Sequence, residues 1–355
     1  MAALDSPITP VEHEPQARIR STDYPAGSFG FDLAAALLGL WFAIGLFVDG
    51  YAHNHGMVDD TFFTPYHALM YSSILFTGIF LGYHQLRNTA KGYAFTRALP
   101  RGFRLSLIGV GLFFIGGGFD LWWHTTFGFE VSTEALLSPS HLLLATSAVL
   151  IVTGTIRSTV VRFAPGTPLN WRDGLPFIIA LTALLSGITF FLQFGNLFTQ
   201  HLSLIGRSLD HGSTLTSAII NGMIITATVS MGVLLFGART VRLPFGASTL
   251  ILTVNALGMF LLDLSPRHYW IILIGAAAAG LAADVILRLR LSEPVRARLF
   301  GFAVPAVLTA GIFLCLLAVT QIILSIHLWL GLVLMCGAAG FFISYLVVPN
   351  EPRRD

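Results

Sequence analysis

An aspartate followed four positions later by a histidine occurs twice in the sequence. The first copy reads Asp49-Gly-Tyr-Ala-His53, and the second, further along the chain, reads Asp120-Leu-Trp-Trp-His124. Side chains four residues apart lie on the same face of a helix, so each pair can act on one ligand. Ionisable residues inside an apolar segment are costly unless they are paired, line a cavity or bind something. Both pairs are therefore candidates for a functional site.

A second histidine follows each of these pairs. His67 stands two residues after Pro65, and His141 stands two residues after Pro139. The separation between these two histidines is almost the same as that between the two aspartates. Each opens the apolar run that comes next. We refer to the two sets as the first triad and the second triad; they consist of Asp49, His53 and His67, and of Asp120, His124 and His141.

The residue types of the triads predict a metal site. Neutral imidazole is a good ligand for copper, zinc and iron, and an ionised carboxylate neutralises part of the ion's charge. Copper is favoured, with zinc or iron behind it, because Cu²⁺ binds such nitrogen and oxygen ligands most tightly in the divalent series. The two cysteines, Cys315 and Cys336, lie in distant apolar runs, which excludes a zinc site of the cysteine type. Four residues are spare ligand candidates: His55, His201, Asp210 and His211.

The first triad resembles the copper site of the membrane C subunit of particulate methane and ammonia monooxygenases. The likeness rests on Asp49-x3-His53 followed by His67, with the pair at the end of one helix and the last histidine on the next. It covers residues 49–67, and more loosely residues 120–141, where the gap before the last histidine is longer. The resemblance implies copper and oxidation of a small molecule.

Other functions are compatible with the same residues. The protein could transport a divalent cation inward. However, the helix halves on the membrane side away from the triads contain hardly any carboxylate besides Asp32 and Asp284 that could relay the ion. His67 and His141 could be the axial ligands of a haem, which is less favoured beside two aspartates. Each aspartate could instead simply accept a hydrogen bond from its histidine in a structural membrane subunit. A net charge of +2 without a basic cluster indicates no nucleic-acid partner.

The composition predicts that the elements holding the triads are membrane-spanning helices. The 355 residues are 55% apolar and only 11% charged, whereas soluble domains have about a quarter charged residues. A spanning helix needs about 20 apolar residues. Ten runs of this kind occur, and we expect an all-α bundle of about ten helices in the lipid bilayer. The runs are 31–54, 66–86, 105–127, 140–161, 176–200, 215–237, 246–264, 269–289, 302–324 and 328–348.

The runs group into helical hairpins that carry the triad pattern with decreasing completeness, which is typical of internal repeats. The expected hairpins are 31–86, 105–161, 176–237, 246–289 and 302–348. Alternate connections and the two chain ends together hold 18 of the 20 Lys and Arg residues, so that side is predicted to be cytoplasmic, in a plasma or inner membrane. Nine of the eleven histidines, including both triads, then lie on the extracytoplasmic side.

The same orientation places both chain ends in the cytoplasm. Residues 1–30 are polar and rich in proline, and they are expected to form a cytoplasmic tail without a cleaved signal peptide. Residues 31–348 are expected to form a single transmembrane domain, and residues 349–355 a cytoplasmic C-terminus. The triads thus belong to a single membrane domain whose substrate would be small or lipid-soluble.

Overall fold

The computed structural model describes residues 22–57, 64–128, 133–196, 213–262, 270–319 and 324–348. These residues are almost entirely helical and contain no β-strand beyond one isolated bridge between Pro168 and Arg242. The predicted all-α class is confirmed. The helices are α1 Phe29–Asn54, α2 Pro65–Ala90, α3 Arg104–Phe127, α4 Thr133–Leu137, α5 Pro139–Val152, α6 Gly154–Arg162, α7 Trp171–Phe191, α8 Ser213–Thr240, α9 Ala247–Leu261, α10 Ile272–Ile286, α11 Glu293–Val319 and α12 Ile326–Val347.

Seven helical segments of the described chain are long and apolar enough to cross a membrane, which makes the protein an integral membrane protein. The segments are Phe29–Asn54, Arg104–Phe127, Pro139–Arg162, Trp171–Phe191, Thr216–Thr240, Glu293–Val319 and Ile326–Val347. Three predicted spans fall on helices outside this set. α9 and α10 have only 15 residues each, and α2 has 26 residues but lower hydropathy. Ten spans therefore stay a prediction.

The helices pack around α7, which contacts α1, α5, α6, α8 and α9. α1 packs on α2, and α3 packs on α5, so each triad lies on a pair of packed helices. On the other side of α7, the helices from α9 to α12 pack in chain order, and α8 lies against α11 and α12. One continuous apolar core runs through both halves, and this fixes the hairpins relative to the rest of the bundle.

Two other buried carboxylates make structural contacts. Asp32 forms an ion pair of 2.7 Å with Arg162 and accepts a hydrogen bond from Ser158. Asp284 on α10 accepts hydrogen bonds from the backbone N–H groups of Ser248 and Thr249 at the start of α9. The second contact satisfies N–H groups that have no partner within their own helix. Both carboxylates thus tie helices together.

Candidate metal centre

The first triad lies where α1 ends and α2 begins. Asp49 and His53 are one turn apart near the end of α1, and the Nε2 atom of His53 is 3.8 Å from Oδ2 of Asp49. His67, in the first turn of α2, places its Nδ1 atom 3.5 Å from Oδ1 of the same carboxylate. One ligand atom from each residue lies within 4.8 Å of the others. The turn from α1 into α2 thus brings both histidines to one carboxylate.

The second triad repeats this arrangement at the end of α3 and the start of α5. Oδ1 of Asp120 is 3.4 Å from Nε2 of His124 and 3.7 Å from Nδ1 of His141. Its three ligand atoms also lie within 4.8 Å of one another. The two imidazole rings of this triad are 5.7 Å apart, compared with 5.5 Å in the first. Each sequence-predicted triad is therefore assembled in space.

In each triad, the distance between the aspartate and the histidine of the same helix fits a metal shell better than a hydrogen bond. Distances of 3.4–3.8 Å between ring nitrogens and carboxylate oxygens exceed those of normal hydrogen bonds. Ligands about 2.1 Å from a tetrahedral ion are about 3.4 Å apart. In addition, Oδ1 of Asp49 and Oδ1 of Asp120 are buried and accept no hydrogen bond from the described residues. In each triad, a cation between the carboxylate and the imidazoles would give this buried oxygen a partner.

A hydroxyl group orients the last histidine of each triad. Thr64 and Ser138 are the N-caps of α2 and α5, and each accepts a hydrogen bond from the backbone N–H of the histidine three residues on. The same hydroxyls lie 2.9 Å and 2.7 Å from the Nδ1 atoms of His67 and His141. A ring nitrogen cannot bind a hydroxyl and a metal ion at once, so this contact leaves Nε2 of each ring for the ion and fixes the ring orientation from the other side. The sequence analysis missed both caps, although Ser or Thr before Pro is a recognisable start of a helix.

A glycine one turn before each aspartate allows the two helices of each hairpin to approach. A Cβ atom at Gly45 would lie 2.8 Å from the Cα atom of Met70, and one at Gly116 would lie 3.0 Å from Cδ2 of Leu144. The sequence separation of the two glycines equals that of the two aspartates, and the separation of Met70 and Leu144 equals that of the last histidines. The repeated motif is therefore longer than predicted, with Gly-x3-Asp-x3-His in both copies.

The two hairpins also contact each other through equivalent positions. Phe42 of α1 packs edge to face on Phe113 of α3, and these residues have the same sequence separation as the two aspartates. A Cβ atom at Gly39 would lie 3.5 Å from Val152, and one at Gly78 would lie 3.0 Å from Val110. Gly39 and Val110 occupy equivalent positions in the repeat, and so do Val152 and Gly78. The two contacts are therefore equivalent, except that glycine and valine have changed places.

The two triads are neighbours as a result. His67 of the first triad is close enough to Asp120, His124 and His141 for electrostatic interaction. The triads differ in exposure: the side chain of His53 is 49% exposed, whereas that of His124 is 9% exposed. One end of the bundle thus carries two adjacent groups of three potential metal ligands, one of them more open to the surroundings.

Of the spare ligand candidates, the structure describes only His55, which does not join a triad. His55 follows the end of α1, where its ring stacks on Tyr51 at 3.8 Å and its Nδ1 atom bonds to the Tyr51 carbonyl. His201, Asp210 and His211 lie outside the described residues. The predicted six-residue set is thus the part of the site that the structure assembles.

Comparison of the chain with known protein families, with characterised proteins and with solved structures finds no match. The likeness of the first triad to the copper site of the monooxygenase C subunit therefore stays a prediction. It depends on residues 49–67 and 120–141 alone. The function proposed for the chain accordingly depends on the geometry of its own triads.

Proposed function

We propose that the protein is a membrane metalloprotein that holds two metal ions side by side, one in each triad, and oxidises a small or lipid-soluble substrate. The observation that carries this proposal is the duplicated geometry. In each hairpin a buried aspartate oxygen without a hydrogen bond from the described residues lies 3.4–3.7 Å from a ring nitrogen of a histidine. A single aspartate–histidine pair of this kind would be ordinary structural packing, whereas two equivalent triads favour a shared role.

Copper is the favoured ion, with zinc and iron next. Imidazole and carboxylate ligands suit Cu²⁺, which also binds most tightly in the divalent series. A bound copper ion would supply one-electron redox chemistry, and three protein ligands leave a position open for another ligand. The residues of the chain hold and orient the ion: His53 and His67 donate ring nitrogens, and Asp49 lowers the net charge. Haem is less favoured because the His67 and His141 rings both face a carboxylate.

Inward transport of a divalent cation is the alternative that the described contacts support least. A relay through the membrane needs a series of polar or ionisable groups. In the described part of the chain, the other buried carboxylates are Asp32 and Asp284, and both are engaged in helix-to-helix contacts. Their oxygens are therefore poorly available to bind an ion during transport.

The proposed membrane arrangement is ten spans with both ends in the cytoplasm and the triads at the extracytoplasmic face of a plasma or inner membrane. The distribution of Lys and Arg supports this orientation. The equivalent contacts of the first two hairpins support their origin from one duplicated unit, and we extend this to five hairpins. Reporter fusions in the 87–104 connection test the orientation, which is wrong if that connection is extracytoplasmic.

Metal analysis of detergent-purified protein tests the function. We expect about two copper ions per chain in the wild type, one for each three-ligand site, and one in either His53→Ala or His124→Ala. His84→Ala is the matched control, because His84 lies on α2 among Phe31 and Phe80, away from the triads. Metal-free wild-type protein, with unchanged stability in both triad variants, would leave only a structural role. Zinc without redox activity would favour transport or hydrolysis instead.

A further inference from the structure

Tyr71 lies between the two triads without belonging to either. It stands one turn after His67 on α2, and its ring centroid is 6.4 Å from the His67 ring. A Cβ atom at Gly117 on α3 would lie 3.0 Å from the Tyr71 hydroxyl, and Gly117 is three residues before Asp120. The phenol is also within electrostatic range of both Asp49 and Asp120. The hydroxyl therefore crosses from the helix of the first triad to the helix of the second.

The repeat does not explain this tyrosine. The position equivalent to Tyr71 in the second hairpin is Ala145, and the position equivalent to Gly117 in the first is Leu46. The paired centre thus has one phenol, on one side only, and a glycine opposite that makes room for it. A residue needed for holding the metal ions would be expected in both copies, so Tyr71 has a different task.

The surroundings of Tyr71 favour hydrogen bonding to a bound ligand. Its ring packs on Phe113 at 5.3 Å, and a hydrogen bond in apolar surroundings is stronger than one in water. A phenol is a hydrogen-bond donor, whereas the carboxylates of the triads are acceptors when ionised. Tyr71 can therefore supply a hydrogen-bond donor to a ligand bound between the triads.

We propose that Tyr71 donates a hydrogen bond to a small anion bound between the two triads. The proposal rests on the proposed function, because the anion needs the metal ions. Azide is the probe, and its affinity for copper-loaded protein is read from the charge-transfer absorption band. Tyr71→Phe is expected to bind azide about tenfold more weakly while keeping both copper ions, since a hydrogen bond to a charged group is lost. Tyr83→Phe is the control, because Tyr83 is an exposed tyrosine of the same helix.

A pair of glycine variants tests the same contact without altering the phenol. Gly117→Ala places a methyl group 3.0 Å from the Tyr71 hydroxyl and must displace it, whereas a Cβ atom at Gly118 meets nothing within 4 Å. Alanine is the better helix former at both positions. We expect azide binding to be several-fold weaker in Gly117→Ala and unchanged in Gly118→Ala.

The outcomes separate the two proposals. Wild-type azide affinity in copper-loaded Tyr71→Phe would overturn the role of Tyr71 and leave the metal sites standing. Loss of copper from Tyr71→Phe would also overturn it, because the hydroxyl would then support the metal ligands. If Tyr71→Phe does not fold, equal azide affinity in the two glycine variants overturns the proposal, and unequal affinity supports it. Metal-free wild-type protein would overturn both proposals.

Discussion

The first and second triads have the same ligands and the same helix positions, but their neighbours differ. The first lies against the bundle interior, where Asn54 donates a hydrogen bond to the Leu262 carbonyl, yet His53 is about half exposed. The second lies at the end of the peripheral helix α3, beside a cluster of Phe119, Trp122, Trp123 and Phe127, and its His124 is nearly buried. The positions equivalent to Trp123 and Phe127 are Ala52 and Gly56. Repeated residues thus set the ligand geometry, and unrepeated neighbours set access.

Replacing the carboxylates should have the largest effect and should separate the two sites. We expect Asp49→Asn and Asp120→Asn each to weaken metal binding in its own triad at least about 100-fold, because even residues beyond the ligand shell contribute 10–100-fold. The loss should be larger for Asp120, whose side chain is 3% exposed against 10% for Asp49. Competition with a chelator measures both affinities. Asp173→Asn, on the exposed start of α7, is the charge control. Equal weakening of both triads by one variant would contradict independent sites.

Removing the capping hydroxyls should have a smaller effect that is similar in both hairpins. Thr64→Val and Ser138→Ala are expected to weaken metal binding in the affected triad about tenfold or more. Each should also lower the free energy of unfolding by about 1 kcal/mol, because a helix cap is lost. Thr64→Ser keeps the hydroxyl and should behave like the wild type. Affinity unchanged in Thr64→Val would mean that the hydroxyl caps α2 without orienting His67.

The hairpin glycines should separate the two sites by stability. A methyl group at Gly45 meets the backbone of Met70 at 2.8 Å, whereas one at Gly116 meets the end of the Leu144 side chain at 3.0 Å. Because a side chain can move aside more easily than a helix backbone, Gly45→Ala should cost about 1–3 kcal/mol and Gly116→Ala less. Thermal unfolding in detergent measures both. A larger loss in Gly116→Ala would show that the tighter helix contact is in the second hairpin.

The difference in exposure between His53 and His124 should have the smallest effect, a difference in the rate at which metal is removed from the two triads. A water-soluble chelator should remove metal from the first triad several-fold faster than from the second, because solvent access at a metal site is controlled by its surrounding shell. The time course should have two phases. His124→Ala should keep the fast phase, and His53→Ala the slow one. A single phase in the wild type would indicate that both ions leave by one route.

The helices and the triads could be predicted because their signals are local. Apolar runs of spanning length predict helices, and Asp49 and His53 share a helix face by their spacing alone. Proline two residues before His67 marks a helix start, which fixes where that histidine lies relative to the loop. The capping hydroxyl of Thr64 was equally readable from the sequence. The extension of the repeat to Gly45 was also readable, since the glycine precedes Asp49 by four residues as Gly116 precedes Asp120.

The remaining features could not be predicted because they depend on packing between distant segments. Tyr71 meets α3 only because α2 lies against it, and no spacing within α2 specifies that contact. The division of the fourth apolar run at Thr153, into α5 and α6, left no clear local signal in its apolar pattern. The exposure of His53 against His124 likewise depends on which residues of other turns surround each helix end.

The exchanged glycine–valine contacts constrain how the two hairpins can diverge in sequence. A larger residue at Gly39 has to be balanced by a smaller one at Val152, and a change at Val110 by one at Gly78, because these are the pairs that meet. The repeat-equivalent positions, such as Gly39 and Val110, are free to differ, as they already do. Among related chains, covariation should therefore link residues across the boundary between the hairpins. A two-hairpin unit of this kind can keep its shape long after its two halves no longer resemble each other.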